Sequence, residues 1–174
     1  MKNLNKSILF LTTAVLIGCG DKKEEKEQIT LEAPERTETR ASTTDNSSNQ
    51  QLAEVLLTGD DQMRFNKKEI RVRAGQTVKL TLEHVGKMEK NVMGHNFVLL
   101  AQGTDINQFG QEAVKAADNN YIPQGSNQVI AHTKMIGGGE SVTIEFQAPA
   151  AGTYDFICSF PGHYAVMRGK FIVE

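Results

Sequence analysis

The sequence predicts an all-β fold, a Greek-key sandwich or barrel of about eight strands with one short helical insertion. Three observations support it. Apolar residues alternate with polar ones in a series of short runs, the pattern of strands with one buried face. Beyond Ala53 the chain offers roughly 120 residues, enough for a single core. No internal repeat and no phosphate-binding glycine motif interrupts that pattern.

Taken in order, the elements begin with an address. Lys2 and Lys6 form a basic start, residues 8–17 a short apolar stretch, and small residues follow, as in an export signal. The stretch is too short for a comfortable transmembrane helix. Leu16-Ile17-Gly18-Cys19 resembles the bacterial lipobox, in which cleavage before the cysteine leaves it at the new N-terminus for lipidation. Residues 1–19 are therefore expected as a lipoprotein signal, with Cys19 retained and the chain anchored to a membrane rather than spanning it. Residues 20–52 are charged, then rich in Thr, Ser, Asn and Gln, and hold almost no large apolar side chains. Such a composition buries too little surface to offset chain entropy and predicts a flexible polar tether.

Residues 53–174 form the expected domain. Strands are expected at 55–57, 70–72, 78–82, 97–100, 129–131, 142–146, 154–158 and 171–173. A patch at 109–117, with Phe109, Ala113, Ala116 and Ala117, reads as the helical insertion. The whole chain has a net charge of −2, with no basic stripe of the kind that binds nucleic acid.

The chemistry concentrates in Tyr-Asp-Phe-Ile-Cys-Ser-Phe-Pro-Gly-His-Tyr-Ala-Val-Met at 154–167. Tyr154, Phe156 and Cys158 share one face of a strand, which aims the thiol inward. Pro161-Gly162 turns the chain, so that His163 and Met167 fold back toward the sulfur. His95 shares parity with Phe97 and Leu99 on a second expected strand at 96–101. One thiolate, two imidazoles and a weak axial thioether are the donor set of a mononuclear blue-copper centre. Singly, each has a plain structural reading: a buried Cys is usually an inert small hydrophobe, Met167 core filler, and an isolated His a hydrogen-bonded or surface residue. Together they fit rival sites poorly, since structural zinc uses Cys and His without thioether and iron–sulfur clusters need about four Cys, whereas this chain has 2. A Cys–His nucleophile is the main catalytic alternative; the inward-pointing thiol weighs against it.

From Ala53 to Glu174 the chain resembles the azurins, bacterial single-domain cupredoxins. The matching stretches are Asp-Gln-Met-Arg-Phe-Asn at 61–66, Lys-Asn-Val-Met-Gly-His-Asn-Phe-Val-Leu at 90–99, Ile-Ala-His-Thr-Lys-Met-Ile-Gly-Gly-Gly-Glu at 130–140 and Cys-Ser-Phe-Pro-Gly-His-Tyr-Ala-Val-Met-Arg-Gly at 158–169. The resemblance implies a cupredoxin-like fold binding one type 1 copper ion. His95, Cys158 and His163 are the implied equatorial ligands, Met167 the axial thioether, and Gly94 a weak backbone-carbonyl ligand whose missing side chain permits close approach. It also implies that Asn96, Ser159 and Phe160 orient the ligand segments, and that His84 and His132 are structural or surface residues. Two departures stand out. The family's disulfide is missing, because Val55 and the Gly75–Gln76 region lack the pair, and such a bond can contribute about 2–4 kcal/mol. The family's buried tryptophan is also missing, since the chain contains 0 Trp and Phe97 stands at a usual site.

These readings lead to an expected one-electron carrier rather than an enzyme, exchanging electrons with redox proteins such as cytochromes or copper and haem reductases. Its expected location is the periplasmic face or cell surface of a bacterial membrane, held through lipid on Cys19. Met88, Met93, Phe160, Pro161 and Ala165 form the expected apolar docking rim around His163. No second metal site or small-molecule cleft is legible. A copper storage, delivery or resistance protein would use the same ligands and stays open, as does an interaction module carrying metal incidentally.

Overall fold

The computed structural model describes residues 51–174. The expected signal, Cys19 and all of the expected tether but Gln51 and Leu52 lie outside the described residues. Strands form at Leu52–Gly59 (β1), Glu69–Val72 (β2), Thr77–His84 (β3), Val98–Leu100 (β4), Val129–His132 (β5), Ser141–Gln147 (β6), Gly152–Ile157 (β7) and Arg168–Val173 (β8). Each coincides with an expected alternating run.

The strands make two open sheets, one ordered β1-β3-β6 and the other β2-β8-β7-β4-β5. The fold is thus a sandwich and not a closed barrel. Because β2 crosses to the second sheet before β3 returns to the first, β1 pairs with β3 in parallel, and β2 pairs with β8 in parallel. The remaining ladders are antiparallel. On β3 the buried residues are Val78, Leu80, Leu82 and His84, every second position, as a strand with one face on a core requires. Val78, Leu80 and Leu82 meet Leu57, Phe97, Leu99, Phe156 and Phe171 between the sheets. Each such fully buried side chain stabilises the fold by about 1.5–3 kcal/mol.

Strand β4 is buried on both faces. Leu99 faces the inter-sheet core, whereas Val98 and Leu100 join a second cluster with Phe109, Ala113, Ile122 and Ile157. That cluster is roofed by the helical insertion. The helix α2, Ile106–Ala113, begins three residues before the apolar patch because the Asp105 side chain caps it, accepting from the Asn107 and Gln108 N–H groups at 2.8 and 3.0 Å. It passes into 3₁₀ turns over Val114–Asn119, kinked at Ala116. A single helical turn at Lys90–Met93 (α1) was not expected.

One further correction concerns the position of the missing disulfide. The β1–β3 register places Val55 opposite Leu80 and Leu52 opposite Thr77, so the start of β1, not Val55, borders Gly75 and Gln76. Cys158 is free, with no second cysteine among the described residues. Phe97 fills its core site with its ring 5.7 Å from Phe156 and 6.3 Å from Phe146. Near the start of β7, the Tyr154 hydroxyl donates to the Ala150 carbonyl at 2.8 Å, fixing the corner by which the chain enters that strand.

Candidate metal centre

The loop after β7 folds back on itself through its backbone. Gly162 sits at φ 82°, a left-handed conformation that glycine adopts without a steric penalty. The His163 N–H donates to the Phe160 carbonyl at 3.0 Å, and the His163 carbonyl accepts from Val166 and Met167 at 3.0 and 2.7 Å. The Cys158 N–H then donates to the Met167 carbonyl at 2.9 Å, closing the loop. Cys158, His163 and Met167 are all buried.

His95 arrives from the other side, and not on a strand as its parity suggested. It stands before β4 in an isolated bridge, exchanging backbone hydrogen bonds of 2.9 and 2.8 Å with Ile136. The ladder is interrupted there because the Phe97 N–H bonds the Thr133 hydroxyl at 3.0 Å instead of a partner strand. The His95 ring is fixed on two sides. Its Nε2 donates to the Asp60 carbonyl at 2.9 Å, which leaves Nδ1 with its lone pair toward the site. Its face stacks on His84 at 4.2 Å and 17°.

The donors of His95, Cys158 and His163 all lie within 4.8 Å of one another. The Cys158 Sγ is 3.9 Å from His95 Nδ1, 3.6 Å from His163 Nδ1 and 3.7 Å from the Gly94 carbonyl oxygen. Bonds of about 2.0–2.3 Å to a central ion, spread trigonally, put the donors about 3.7 Å apart, so the triangle has the size a metal requires. Met167 Cε lies beside the His95 ring: a Cβ on Gly59 would lie 2.7 Å from His95 Cδ2 and 2.8 Å from Met167 Cε. Gly59 therefore backs both side chains.

Burial sets the protonation of the metal-free site. It pushes the Cys158 thiol up to about 12, against weaker lowering by the Asn96 and Phe160 N–H groups. It pushes His163 down to about 4, aided by the neighbouring His95 and His84. Desolvation also lowers His95, opposed by its Asp60 bond. A buried thiol held neutral is a poor nucleophile; it becomes a thiolate when a cation compensates the charge.

The supporting residues fall into place around this triangle. Asn96 bridges the two ligand segments: its Nδ2 donates to the Ser159 hydroxyl at 2.8 Å and to the Asn120 carbonyl at 3.0 Å, while its Oδ1 accepts from the Ser159 N–H at 2.9 Å. Gly94 has an ordinary backbone, φ −67°. A Cβ there would meet the Lys90 carbonyl at 2.5 Å and Met135 Sδ at 2.9 Å, so its missing side chain makes room for α1 and Met135. His84 is buried and His132 exposed. His84 donates from Nε2 to the Met93 carbonyl at 2.8 Å and accepts the Gly86 N–H at Nδ1, 3.1 Å.

Of the expected rim, Met88 is 44% exposed and Ala165 exposed, with Met93 and Pro161 half-buried. Phe160 is only 9% exposed; it lies inside, its ring 4.7 Å from His163. His163 itself is 3% exposed, with the Phe160 and His95 rings packed against it. The exposed Val85, Val92 and Val166 belong to no expected set. Sequence reasoning gave no role to Gly59 and Asp60, which precede the 61–66 stretch, or to Thr133 and Ile136, which lie inside the 130–140 stretch.

A family model described as copper binding proteins, plastocyanin/azurin family, matches residues 53–174. The chain belongs to that family. It is 46% identical over 119 residues to Azurin-1 of Alcaligenes xylosoxydans xylosoxydans, covering 66% of this chain and 92% of the relative. It is 42% identical over 119 residues to outer membrane protein H.8 of Neisseria gonorrhoeae, covering 67% of this chain and 64% of that one. Among solved structures it is similar to auracyanin A, a "blue" copper protein of Chloroflexus aurantiacus, with a TM-score of 0.65 and 32% identity over 71% of this chain and 99% of that one. Copper is the cofactor of the plastocyanin/azurin family, and the buried triangle beside Met167 fits it.

Proposed function

We propose that this protein is a membrane-anchored carrier of single electrons, and not an enzyme. The observation that carries the reading is the buried Cys158–His95–His163 triangle. Bound copper would supply one-electron chemistry by cycling between Cu(I) and Cu(II). Everything else is done by the chain. Cys158 would supply the thiolate, His95 and His163 the imidazole nitrogens, Met167 a thioether, and Gly94 a carbonyl. Asn96 and Ser159 tie the two ligand segments together, so the donors keep their spacing when the charge changes, and the dry pocket excludes water. The rim of exposed Met88 and Ala165 with half-buried Met93 and Pro161 suits brief docking of redox proteins such as cytochromes or copper and haem reductases. No nucleic acid or small-molecule substrate is proposed.

Anchoring rests on the lipobox-like Leu16-Ile17-Gly18-Cys19, supported by the similarity to outer membrane protein H.8. The proposed location is an exported one, held through Cys19 at the periplasmic face or cell surface, with 20–52 as the tether. Optical and paramagnetic spectroscopy of the purified protein with Cu(II) tests the site: an intense blue thiolate-to-copper band with narrow copper hyperfine splitting is expected, and a colourless, copper-refractory protein overturns it. Electron self-exchange tests the carrier role, since slow exchange in fully loaded protein favours copper storage or delivery instead.

A further inference from the structure

The helical insertion has an unexplained residue in it. Gly110 lies inside α2 and is buried, yet it is absent from the glycines with positive φ. A helix interior is the position where glycine is disfavoured and alanine best. Backbone conformation therefore does not explain the choice. Space does: a Cβ on Gly110 would overlap the Tyr164 ring, 2.6 Å from Cγ and 2.5 Å from Cε1. Cγ is the root of the ring, so a small swing of the side chain does not relieve the overlap. The ring of Tyr164 lies against the bare backbone of α2.

Tyr164 follows His163 directly, in the 3₁₀ turn His163–Ala165. It packs with Ile106 and Tyr121 against the cluster of Phe109, Ala113 and Ile157. The insertion touches the loop a second time beyond α2, where the Tyr121 ring meets the Phe160 ring edge-on at 5.4 Å, and Phe160 in turn covers His163 at 4.7 Å. An indirect tie runs through the Asn120 carbonyl, which accepts from Asn96, itself bonded to Ser159 of the loop. The flanking residues of the turn, Ala165 and Val166, are exposed and offer no comparable anchor.

We propose that Gly110 is the seat for the Tyr164 ring, and that this contact makes α2 the buttress that fixes the position of His163. Tyr164 and Gly110 are positioning residues, acting on the metal centre through His163. This inference rests on the reading of 158–167 as the copper-holding loop, and its test separates the two.

The experiment is a double-mutant cycle of Gly110→Ala and Tyr164→Ala in the full chain, with Tyr164→Phe as the conservative variant. Two readouts are taken: hydrogen exchange of the Val166 and Met167 amides in metal-free protein, both bonded to the His163 carbonyl, and the copper hyperfine splitting and reduction potential after Cu(II) loading. Gly110→Ala is expected to speed exchange at these two amides by about tenfold, a local opening that leaves β3 and β6 unchanged, and to shift the hyperfine splitting and potential. In the Tyr164→Ala background the same substitution is expected to change neither readout, because nothing remains to collide with. Tyr164→Phe should match the wild type, since the ring and not the hydroxyl fills the seat. The proposal is overturned if Gly110→Ala leaves exchange and potential unchanged, or acts equally with and without the ring. Should Gly110→Ala fail to fold, Tyr164→Ala decides alone: amide exchange and hyperfine splitting identical to wild type overturn the buttress. A wild-type chain that takes up no copper refutes the copper reading, while amide exchange in the metal-free protein still judges the contact.

Discussion

Removing copper leaves three buried titratable donors whose protonation sets the pH dependence of the metal-free fold. His163 is held at about 4 against an ordinary 6.5. Between those values the unfolded chain binds a proton that the folded chain refuses, so stability falls as pH drops from 6.5 to 4. A shift of this size corresponds to about 3 kcal/mol at about 1.4 kcal/mol per unit. His95, lowered in the same direction, deepens the loss. Cys158 acts at the other end. Its thiol is held at about 12 against 9.0, so above pH 9 the unfolded chain releases a proton that the folded chain keeps, and stability falls again by about 4 kcal/mol toward pH 12. The metal-free protein is therefore expected to be most stable between pH 6.5 and 9. Within that window both imidazoles are already neutral and only the thiol carries a proton, so copper binding is expected to release about one proton. Urea denaturation of metal-free protein across pH 4–11 measures the first expectation, and calorimetry of copper binding in buffers of different ionisation enthalpy the second. Stability that is flat from pH 6.5 to 4, or a release near zero or two protons, would refute the protonation states derived from burial.

Further expectations follow from single contacts. Cys158→Ser should abolish the blue band, whereas Met167→Leu should keep it and raise the reduction potential by removing a weak donor, as spectroscopy and voltammetry would record. Asn96→Ala strips the Ser159 N–H and the Asn120 carbonyl of buried partners and should cost about 2–4 kcal/mol in denaturant unfolding. Met88→Lys puts a charge on an exposed rim position and should slow self-exchange at low ionic strength with an unaltered blue spectrum; an unchanged rate would move the docking face elsewhere. Cys19→Ala should leave an uncleaved or mislocalised precursor, and mass spectrometry finding a lipid-free mature N-terminus other than Cys19 in the wild type would contradict the anchor.

The sequence by itself determined the strands and the donor loop, since both are written in short-range pattern. Val78, Leu80 and Leu82 announce β3 through a period of two, and Cys158, His163 and Met167 are brought together by one turn at Pro161-Gly162. The address proposed at Cys19 is likewise read from a local string. What only the tertiary structure decided depends on the register between distant segments. His95 meets Cys158 across 63 positions of chain, held by a bridge to Ile136 and a bond to Asp60 that no periodicity encodes. Phe97, whose N–H turns to Thr133, shows why the expected strand at 96–101 shrinks to Val98–Leu100. The choice of sandwich over barrel is made at the sheet edges, where β1 and β6 join neither β2 nor β5, because alternation marks a buried face without saying which strands pair. The burial that holds Cys158 protonated, and the bare backbone of Gly110 beneath Tyr164, belong to the same class: they are properties of what packs against a residue, and that is fixed only when the chain has closed on itself.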